Sequence, residues 1–243
     1  MTTTYVLVHG AWHTGQAWAR VVPRLAASGS RVFTPTLTGY GETTHLLGPD
    51  VGLGTHTADV VRLLVEADLH DVVLVGHSYA GLVISAVANQ VPERIARLVY
   101  LDAMVPTDGE NALDVMPVTR TMLGNGWRVP PLPELPAPFG LFGVTDPGDV
   151  AWVRTMLSDQ SLRCLEEPVA MDNPALAAIP RTHIHCTVKP AGFDRRPVPA
   201  VQPNGEPADV RELATGHDCM IIEPAGLAAL LLDVGERAGS LRT

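Results

Sequence analysis

Residues 71–81 read Asp-Val-Val-Leu-Val-Gly-His-Ser-Tyr-Ala-Gly, and this stretch decides the fold. Its start, D-V-V-L-V, is a continuous apolar run of the kind found in strands buried on both faces of a parallel sheet. Small residues then surround Ser78, and a helix is predicted over residues 79–89. A serine on a sharp turn between a strand and a helix is the arrangement of a nucleophile elbow, G-x-S-x-G. Here Ala80 stands where glycine is usual, and glycine follows one place later.

Short apolar runs alternate with helical patterns on both sides of this elbow. The predicted strands cover residues 5–8, 31–34, 71–75, 95–101, 182–187 and the short run 210–214. The predicted helices cover residues 16–27, 55–69, 79–89 and 225–237. Such alternation predicts an α/β fold with a doubly wound, mostly parallel sheet covered by helices on both faces.

The segment from about residue 106 to residue 174 departs from this alternation. It is rich in proline, methionine and scattered apolar side chains, which a doubly wound sheet does not need. Structureless loops of that length are uncommon in compact domains. We therefore expect a single domain over residues 1–243, with a cap inserted at about residues 106–174 above the strand ends. The apolar side chains of the cap suggest a substrate with a hydrophobic acyl or alcohol group.

Composition restricts the partners that the chain can have. The formal net charge is −9, from 17 basic and 26 acidic residues, and no basic run offsets it. This balance argues against a nucleic acid or an anionic membrane as partner. Neither a membrane span nor an export segment is visible, and three widely separated cysteines favour free thiols in a reducing compartment. We expect a soluble cytoplasmic protein whose partner is a small-molecule substrate.

A serine hydroxyl is a weak nucleophile and needs an adjacent base. Among nine histidines, His217 lies after the last strand-like run and before the final helix. Hydrolases with this elbow place their residues in the chain order serine, acid, histidine, so the histidine is expected near the end. His217 is therefore the predicted base for Ser78.

Two aspartates compete for the role of orienting that imidazole. Asp102 directly follows the predicted strand 95–101, at the strand end where ligand-facing loops emerge. In many hydrolases of this type the acid instead follows the strand that corresponds to residues 182–187. The turn there has no carboxylate before Asp194. We choose Asp102, and Asp194 remains the alternative.

Acyl transfer also needs donors for a developing oxyanion. One is expected from the backbone N–H of Tyr79, the residue after the serine. The loop after the first strand, His-Gly-Ala-Trp-His at residues 9–13, is expected to supply the other from Ala11. Trp12 and His13 are candidates for lining the substrate pocket, although Trp12 is equally compatible with core packing.

Three other functions are considered. His183 and His185 lie two apart on one strand face and could begin a zinc site, but the sequence shows no third ligand beside them, so neither metal nor organic cofactor is expected. The same serine and histidine could serve a non-hydrolytic enzyme, such as a polyketide-type cyclase. A ligand-binding protein on a hydrolase scaffold is a further alternative, because fold does not fix function.

Three segments carry a resemblance to a known family. Residues 5–18 read Y-V-L-V-H-G-A-W-H-T-G-Q-A-W, residues 76–81 read G-H-S-Y-A-G, and residues 215–220 read T-G-H-D-C-M. They resemble the small branch of the α/β-hydrolase superfamily that includes plant methylesterases, hydroxynitrile lyases and bacterial esterases. The resemblance covers residues 4–104 and 180–235 and fails over the cap. It implies a carboxylesterase-like enzyme with Ser78 as nucleophile, His217 as base, and Ala11 and Tyr79 as oxyanion donors, cleaving an ester through an acyl-enzyme.

Overall fold

The computed structural model describes residues 2–240. Its strands are β1 (Thr4–Val8), β2 (Arg31–Phe33), β3 (Val72–His77), β4 (Ile95–Leu101), β5 (Arg128–Val129), β6 (Gln160–Ser161), β7 (Arg181–Cys186) and β8 (Asp209–Leu213). Its α-helices are α1 (Val22–Ala26), α2 (Leu53–Glu66), α3 (Ala80–Gln90), α4 (Ala112–Val115), α5 (Pro147–Met156), α6 (Arg163–Glu166), α7 (Cys219–Ile222) and α8 (Pro224–Ser240). Short 3-10 helices cover Gly15–Trp18, Gly41–Leu46, Pro92–Arg94, Pro117–Met122 and Pro174–Ala178.

The main sheet has the strand order β2-β1-β3-β4-β7-β8, and all of its neighbouring strands are parallel. The chain runs outward from β1 to β2, then returns to the other side of β1 and continues to β8. The registers pair Val8 with Gly76, His77 with Leu101 and Leu101 with Ile184. The carboxyl ends of β1, β3, β4 and β7 therefore meet at one edge. The predicted α/β class with a mostly parallel sheet is confirmed.

Two apolar layers cover the sheet, one on each face. Alternate residues of β1 divide between them: Val6 and Val8 join the layer that contains α2 and α3, and Tyr5 and Leu7 join the layer that contains α8. All four of these side chains are fully buried. Burial on both faces explains why β1 and β3 have continuous apolar runs rather than alternating ones.

The helix predicted over residues 16–27 is wrong in its extent. The structure instead has the 3-10 helix Gly15–Trp18, followed by the short helix α1. Pro23 lies in the first turn of α1, where its missing N–H leaves no intrahelical bond unmade. In the middle of a longer helix the same proline would break a hydrogen bond and clash with the preceding turn.

The segment between β4 and β7 contains its own short elements and lies against the carboxyl edge of the sheet. It holds α4, α5, α6 and the antiparallel pair β5–β6. The indole N–H of Trp12, on the loop after β1, donates to the carbonyl of Val129 at 3.0 Å. At the other end of the segment, Glu167 Oε2 accepts from the N–H of Gly54 in the first turn of α2 at 3.3 Å.

Part of this segment touches the loop between β8 and α7 backbone to backbone. Gly143 has φ +91°, and a Cβ placed on it would lie 2.5 Å from the Cα of Gly216 and 2.7 Å from the nitrogen of His217. The carbonyl of the preceding residue, Phe142, accepts from the N–H of Asp218 at 2.8 Å. Only glycine permits this approach, so the inserted segment and the His217 loop are held together at this point.

Within residues 2–240, none of the helices has the length and apolar character needed to cross a bilayer.

The elbow between β3 and α3 tolerates a methyl group at one position and excludes it at the next. Ala80 is fully buried without a clash, whereas a Cβ at Gly81 would lie 2.0 Å from the carbonyl oxygen of Met104. We expect Gly81→Ala to lower the free energy of unfolding by about 1–3 kcal/mol, because main chain on both sides must move. Gly48→Ala, which adds a methyl group in open space, is the control and should change it by less than about 0.5 kcal/mol. Urea unfolding curves measure both, and equal midpoints would contradict the tight elbow.

Candidate active site

Ser78 sits on a strained turn at the carboxyl end of β3. Its φ is +57°, a left-handed value that is uncommon for residues other than glycine. Its N–H donates to the carbonyl of Leu101 at 3.2 Å, and its carbonyl accepts from the N–H groups of Gly81 and Met104 at 3.1 and 2.9 Å. These bonds fix the elbow to the end of β4, and the serine side chain lies at the wall of a cavity.

Asp102 lies one strand away, immediately after β4. It also has a left-handed backbone, with φ +43°, and only 3% of it is exposed. Its N–H donates to the carbonyl of Ile184 at the end of β7, at 2.7 Å. The carboxylate is therefore held at the same sheet edge as Ser78, facing the loop that carries His217.

His217 lies on the loop between β8 and α7 and contacts Asp102 through a short hydrogen bond. Its Nδ1 is 2.5 Å from Oδ2 of Asp102. His217 borders the same cavity as Ser78. The hydrogen bonds found within residues 2–240 do not include one between the Ser78 hydroxyl and His217, and such bonds are often long until substrate binds.

The alternative acid, Asp194, is not beside His217. Its side chain is 80% exposed and pairs with Lys189 at 3.1 Å. Of the two carboxylates considered from the sequence, the structure brings Asp102 to the imidazole and leaves Asp194 at the surface.

Arg195, the residue after Asp194, was missed by sequence reasoning although its guanidinium contacts Asp102. Its Nε donates to Oδ1 at 3.2 Å and its Nη2 to Oδ2 at 2.7 Å. Burial alone would raise the pKa of Asp102, but the hydrogen bond and charge of His217 and the charge of Arg195 hold it well below its usual range. A loop arginine without periodic neighbours gives no local signal of such a contact, which only the tertiary structure creates.

Two backbone donors flank Ser78 as expected for an oxyanion site. Ala11 and Tyr79 both border the cavity. Across the backbone hydrogen bonds of residues 2–240, neither of their N–H groups has a partner. A small void of about 10 Å³ lies beside Ala11, Ser78 and His217, roughly the space that one water-sized group occupies. The two N–H groups are thus free to donate to a substrate oxygen.

The side chains of Trp12 and His13 lie in different places. Trp12 has φ +67°, borders the cavity and stacks on Phe142 with ring centroids 5.7 Å apart. His13 does not border that cavity. Its ring turns inward and reaches only the small void beside Ser78, because it is bound to Asp218.

His13 and Asp218 form a buried ion pair behind the loop after β1, which carries Ala11. Nε2 of His13 lies 3.0 Å from Oδ2 of Asp218, and Nδ1 lies 2.8 Å from the carbonyl of Ala11. Because both ring nitrogens face acceptors, the ring carries two N–H groups and a positive charge. Burial lowers the pKa of His13, but the charge and hydrogen bond of Asp218 outweigh it and raise the pKa overall. Burial correspondingly raises the pKa of Asp218, and the charge of His13 lowers it to below its ordinary value.

A further buried histidine, His77, binds the main chain of the loop that carries His217. Burial, assisted by the neighbouring His217, lowers the pKa of His77 to about 3, so the ring is neutral. Its Nε2–H donates to the carbonyl of His217 at 3.0 Å, and the two rings lie 4.4 Å apart. His77, which directly precedes Ser78, therefore positions the loop that carries His217.

Metal-ligand geometry does not favour the zinc alternative. Among the described residues, the one grouping of three possible ligands is His77, His217 and Asp218, with atoms within 4.8 Å of one another. Each of these is already hydrogen-bonded within the site. His183 and His185 belong to no such grouping, and His183 instead stacks on Tyr100.

The cavity in front of Ser78 has a volume of about 230 Å³ and is mostly apolar. The inserted segment and the loop after β7 supply most of its walls. Apolar side chains around it include Met104, Met116, Leu132, Phe139, Leu165 and Phe193. Leu135 and Val188 border it and are 38% and 39% exposed, which places them at its mouth.

Residues 5–230 match the model of the alpha/beta hydrolase family. The chain belongs to the α/β-hydrolase family. A carbendazim hydrolyzing esterase from Nocardioides sp. (strain SG-4G) is 36% identical to it over 95% of this chain and 99% of that protein. Salicylic acid-binding protein 2 from Nicotiana tabacum is 26% identical over 96% of this chain and 97% of that protein. The solved structure of an extracellular α/β-hydrolase from a Paenibacillus species is similar with a TM-score of 0.77, at 26% identity, and covers 96% of this chain and 99% of its own.

These relatives confirm the family resemblance read from the three motifs. The carbendazim hydrolyzing esterase and Methylesterase 3 from Arabidopsis thaliana, which is 25% identical over 96% of this chain and 95% of that protein, are both named as esterases. The chain is therefore a carboxylesterase-like α/β-hydrolase, and ester hydrolysis is the chemistry that these relatives support.

Asp218→Asn should destabilise the protein by about 3–5 kcal/mol, because it leaves the charged His13 buried without a partner. The lowered pKa of Asp218 gives stability that is present above the ordinary aspartate pKa and lost as pH falls through the folded value. The raised pKa of His13 gives stability that is present below the ordinary histidine pKa and lost as pH rises through the folded value. The difference from wild type should therefore be widest between about pH 4 and pH 6.5.

Urea unfolding at several pH values measures this difference. Asp50→Asn, at an exposed position, is the matched control and should stay within about 0.5 kcal/mol of wild type. A deficit for Asp218→Asn that is the same at every pH would show that the two groups are not an ion pair.

Proposed function

We propose that this chain is a serine carboxylesterase with Ser78 as nucleophile, His217 as general base and Asp102 as the acid that orients the imidazole. The observation that carries the proposal is the 2.5 Å contact between His217 Nδ1 and Asp102 Oδ2. That contact leaves the other ring nitrogen of His217 available at the cavity that Ser78 also borders. A neutral His217 with its proton on Nδ1 has an acceptor on Nε2, which is what proton removal from serine requires.

The reaction divides into acylation and hydrolysis. The Ser78 hydroxyl oxygen attacks the ester carbonyl carbon while His217 takes its proton, and the negative oxygen that forms accepts hydrogen bonds from the N–H groups of Ala11 and Tyr79. The C–O bond to the alcohol then breaks, and His217 returns the proton to the departing alcohol. Water, deprotonated by His217, then attacks the acyl-enzyme; the bond from the acyl carbon to the Ser78 oxygen breaks, His217 returns the proton to Ser78, and the acid is released. Loss of one oxyanion donor of this kind typically costs about 10²–10³ in rate.

The proposed substrate is a small hydrophobic ester or carbamate with a planar aromatic group. The apolar cavity of about 230 Å³, bordered by aromatic side chains, supports this size and character. The relative named for carbendazim hydrolysis is similar over nearly the full length of both chains, which supports testing carbendazim first. We propose no partner beyond this small molecule.

We further propose that residues 1–243 are one domain with residues 106–174 acting as a cap. The cap supplies apolar walls to the cavity and so excludes water from the acylation step. The three cysteines are buried free thiols, a state that a reducing compartment maintains, and this supports a cytoplasmic location.

A fluorophosphonate should label Ser78 stoichiometrically, as intact-protein and peptide mass spectrometry would show.

Ser78→Ala and His217→Ala should each lower kcat for a p-nitrophenyl ester or carbendazim by about 10⁴–10⁶, and the double variant should be little worse, because the residues act as a unit. His45→Ala, an exposed histidine outside the site, serves as the control. A folded protein that takes up no label, or additive losses in the double variant, would reject the serine-esterase mechanism. Cyclised products or ligand binding without turnover would then favour the cyclase or binding-protein alternative.

Asp102→Asn should preserve the fold and lower kcat by up to about 10⁴, because the amide favours the wrong imidazole tautomer. Asp194→Asn should cost little, since that side chain is 80% exposed and contacts Lys189. Steady-state kinetics on the two purified variants, with circular dichroism to check folding, measures both. A nearly wild-type Asp102→Asn beside a crippled Asp194→Asn would reverse the assignment.

A further inference from the structure

The loop between β7 and β8 carries an arginine whose side chain contacts the acid of the proposed triad. Arg195 is 12% exposed at its side chain. Its guanidinium donates to both carboxylate oxygens of Asp102 and, through Nη2, to the main-chain carbonyl of Asp102 at 2.8 Å. Its Nη1 also donates to the carbonyl of Phe193 at 3.3 Å, which fixes the arginine to its own loop. Such side-on, two-point contact restrains both the position and the plane of a carboxylate.

One carboxylate oxygen is shared between the imidazole and the guanidinium. Oδ2 of Asp102 lies 2.5 Å from His217 Nδ1 and 2.7 Å from Arg195 Nη2, and these two nitrogens are only 3.4 Å apart. Oδ1 is held by Arg195 Nε and by the N–H of Cys186 at 3.3 Å. A permanent cation therefore sits beside the ring on which catalysis needs a proton to be accepted and released.

We propose that Arg195 is a positioning residue that holds the Asp102 carboxylate in the place and plane from which it orients Nδ1 of His217. The proposal rests on the serine-esterase function above. Without the two-point contact the carboxylate could turn about its Cβ–Cγ bond, and the imidazole that it orients would lose its alignment with Ser78.

Among residues 2–240, no other side chain packed around His217 holds the Asp102 carboxylate. His77, which packs on the ring, is neutral because burial lowers its pKa to about 3. Asp218 is committed to His13, and the thiol of Cys186 faces the carbonyl of His217 rather than its ring. Within residues 2–240, Arg195 is the one lysine or arginine whose side chain is hydrogen-bonded to Asp102.

The next residue along the chain provides a matched control. Arg196 points the opposite way and forms a two-point ion pair with Glu110 in the inserted segment, at 2.7 and 2.8 Å. Loss of either arginine removes one positive charge and one anchor of the same loop. Only loss of Arg195 removes a charge from the side of His217.

The experiment measures the rate of fluorophosphonate labelling, kcat and KM for wild type, Arg195→Gln, Arg195→Lys and Arg196→Gln, with circular dichroism to check folding. Arg195→Gln should lower kcat and the labelling rate by up to about 10²-fold and leave KM nearly unchanged, because the imidazole loses its alignment while the cavity keeps its walls. Arg195→Lys keeps the charge without the two-point geometry, so kcat should fall there too. Arg196→Gln should leave kcat, KM and the labelling rate unchanged.

Absence of labelling at Ser78 in the wild type would reject the serine-esterase function itself. Labelled wild type with an unchanged kcat in folded Arg195→Gln, or an equal fall in Arg196→Gln, would overturn the role of Arg195 and leave the esterase function standing. If Arg195→Gln does not fold, Arg195→Lys decides: a lower kcat with an unchanged KM supports the proposal, and a wild-type kcat overturns it.

Discussion

The carboxylate of Asp102 is the group on which the arrangement of this site depends. A carboxylate that is 97% removed from solvent is tolerated only when hydrogen bonds and opposite charge replace the lost water. Here His217, Arg195 and the N–H of Cys186 do so. These three partners come from the end of β7, the loop after it and the loop between β8 and α7, and each must reach the carboxyl end of β4. The parallel registers of β3, β4 and β7 bring the carboxyl ends of these strands to one edge of the sheet. The groups that stabilise the buried Asp102 carboxylate can therefore reach it from the neighbouring strand end and loops.

A second buried carboxylate, Asp218, has a cationic partner of its own. Asp218 is adjacent to His217 in the chain, but it forms its ion pair with His13, on the loop that follows β1. His13 in turn holds the carbonyl of Ala11, and His77 holds the carbonyl of His217. The loop that carries Ala11 and the loop that carries His217 are therefore coupled through one ion pair, and the His217 imidazole contacts Asp102 and Arg195.

Local patterns were enough to place the strands, most helices and the elbow at Ser78, because apolar periodicity and small-residue turns are short-range features. Ile95–Leu101 was predicted with its exact bounds, whereas a proline in the first turn divided the helix expected over residues 16–27. His217 could be chosen by its order in the chain. Arg195 and Asp218 could not be anticipated, since their partners lie 93 and 205 residues away and no spacing rule connects them. For the same reason, the sequence did not indicate that the His13 ring turns inward to bind Asp218.

The wide separation of these partners has a consequence for how the protein becomes active during synthesis. The elbow and Asp102 emerge from the ribosome in the first half of the chain, while Arg195 and His217 arrive only near the end. Closing such long loops is slow compared with local helix formation. Until then Asp102 would have to remain hydrated or protonated, so the end of β4 cannot reach its final burial early. Under the proposed function, a nascent chain would present Ser78 long before it could use it, and hydrolytic activity should be among the last properties that folding confers.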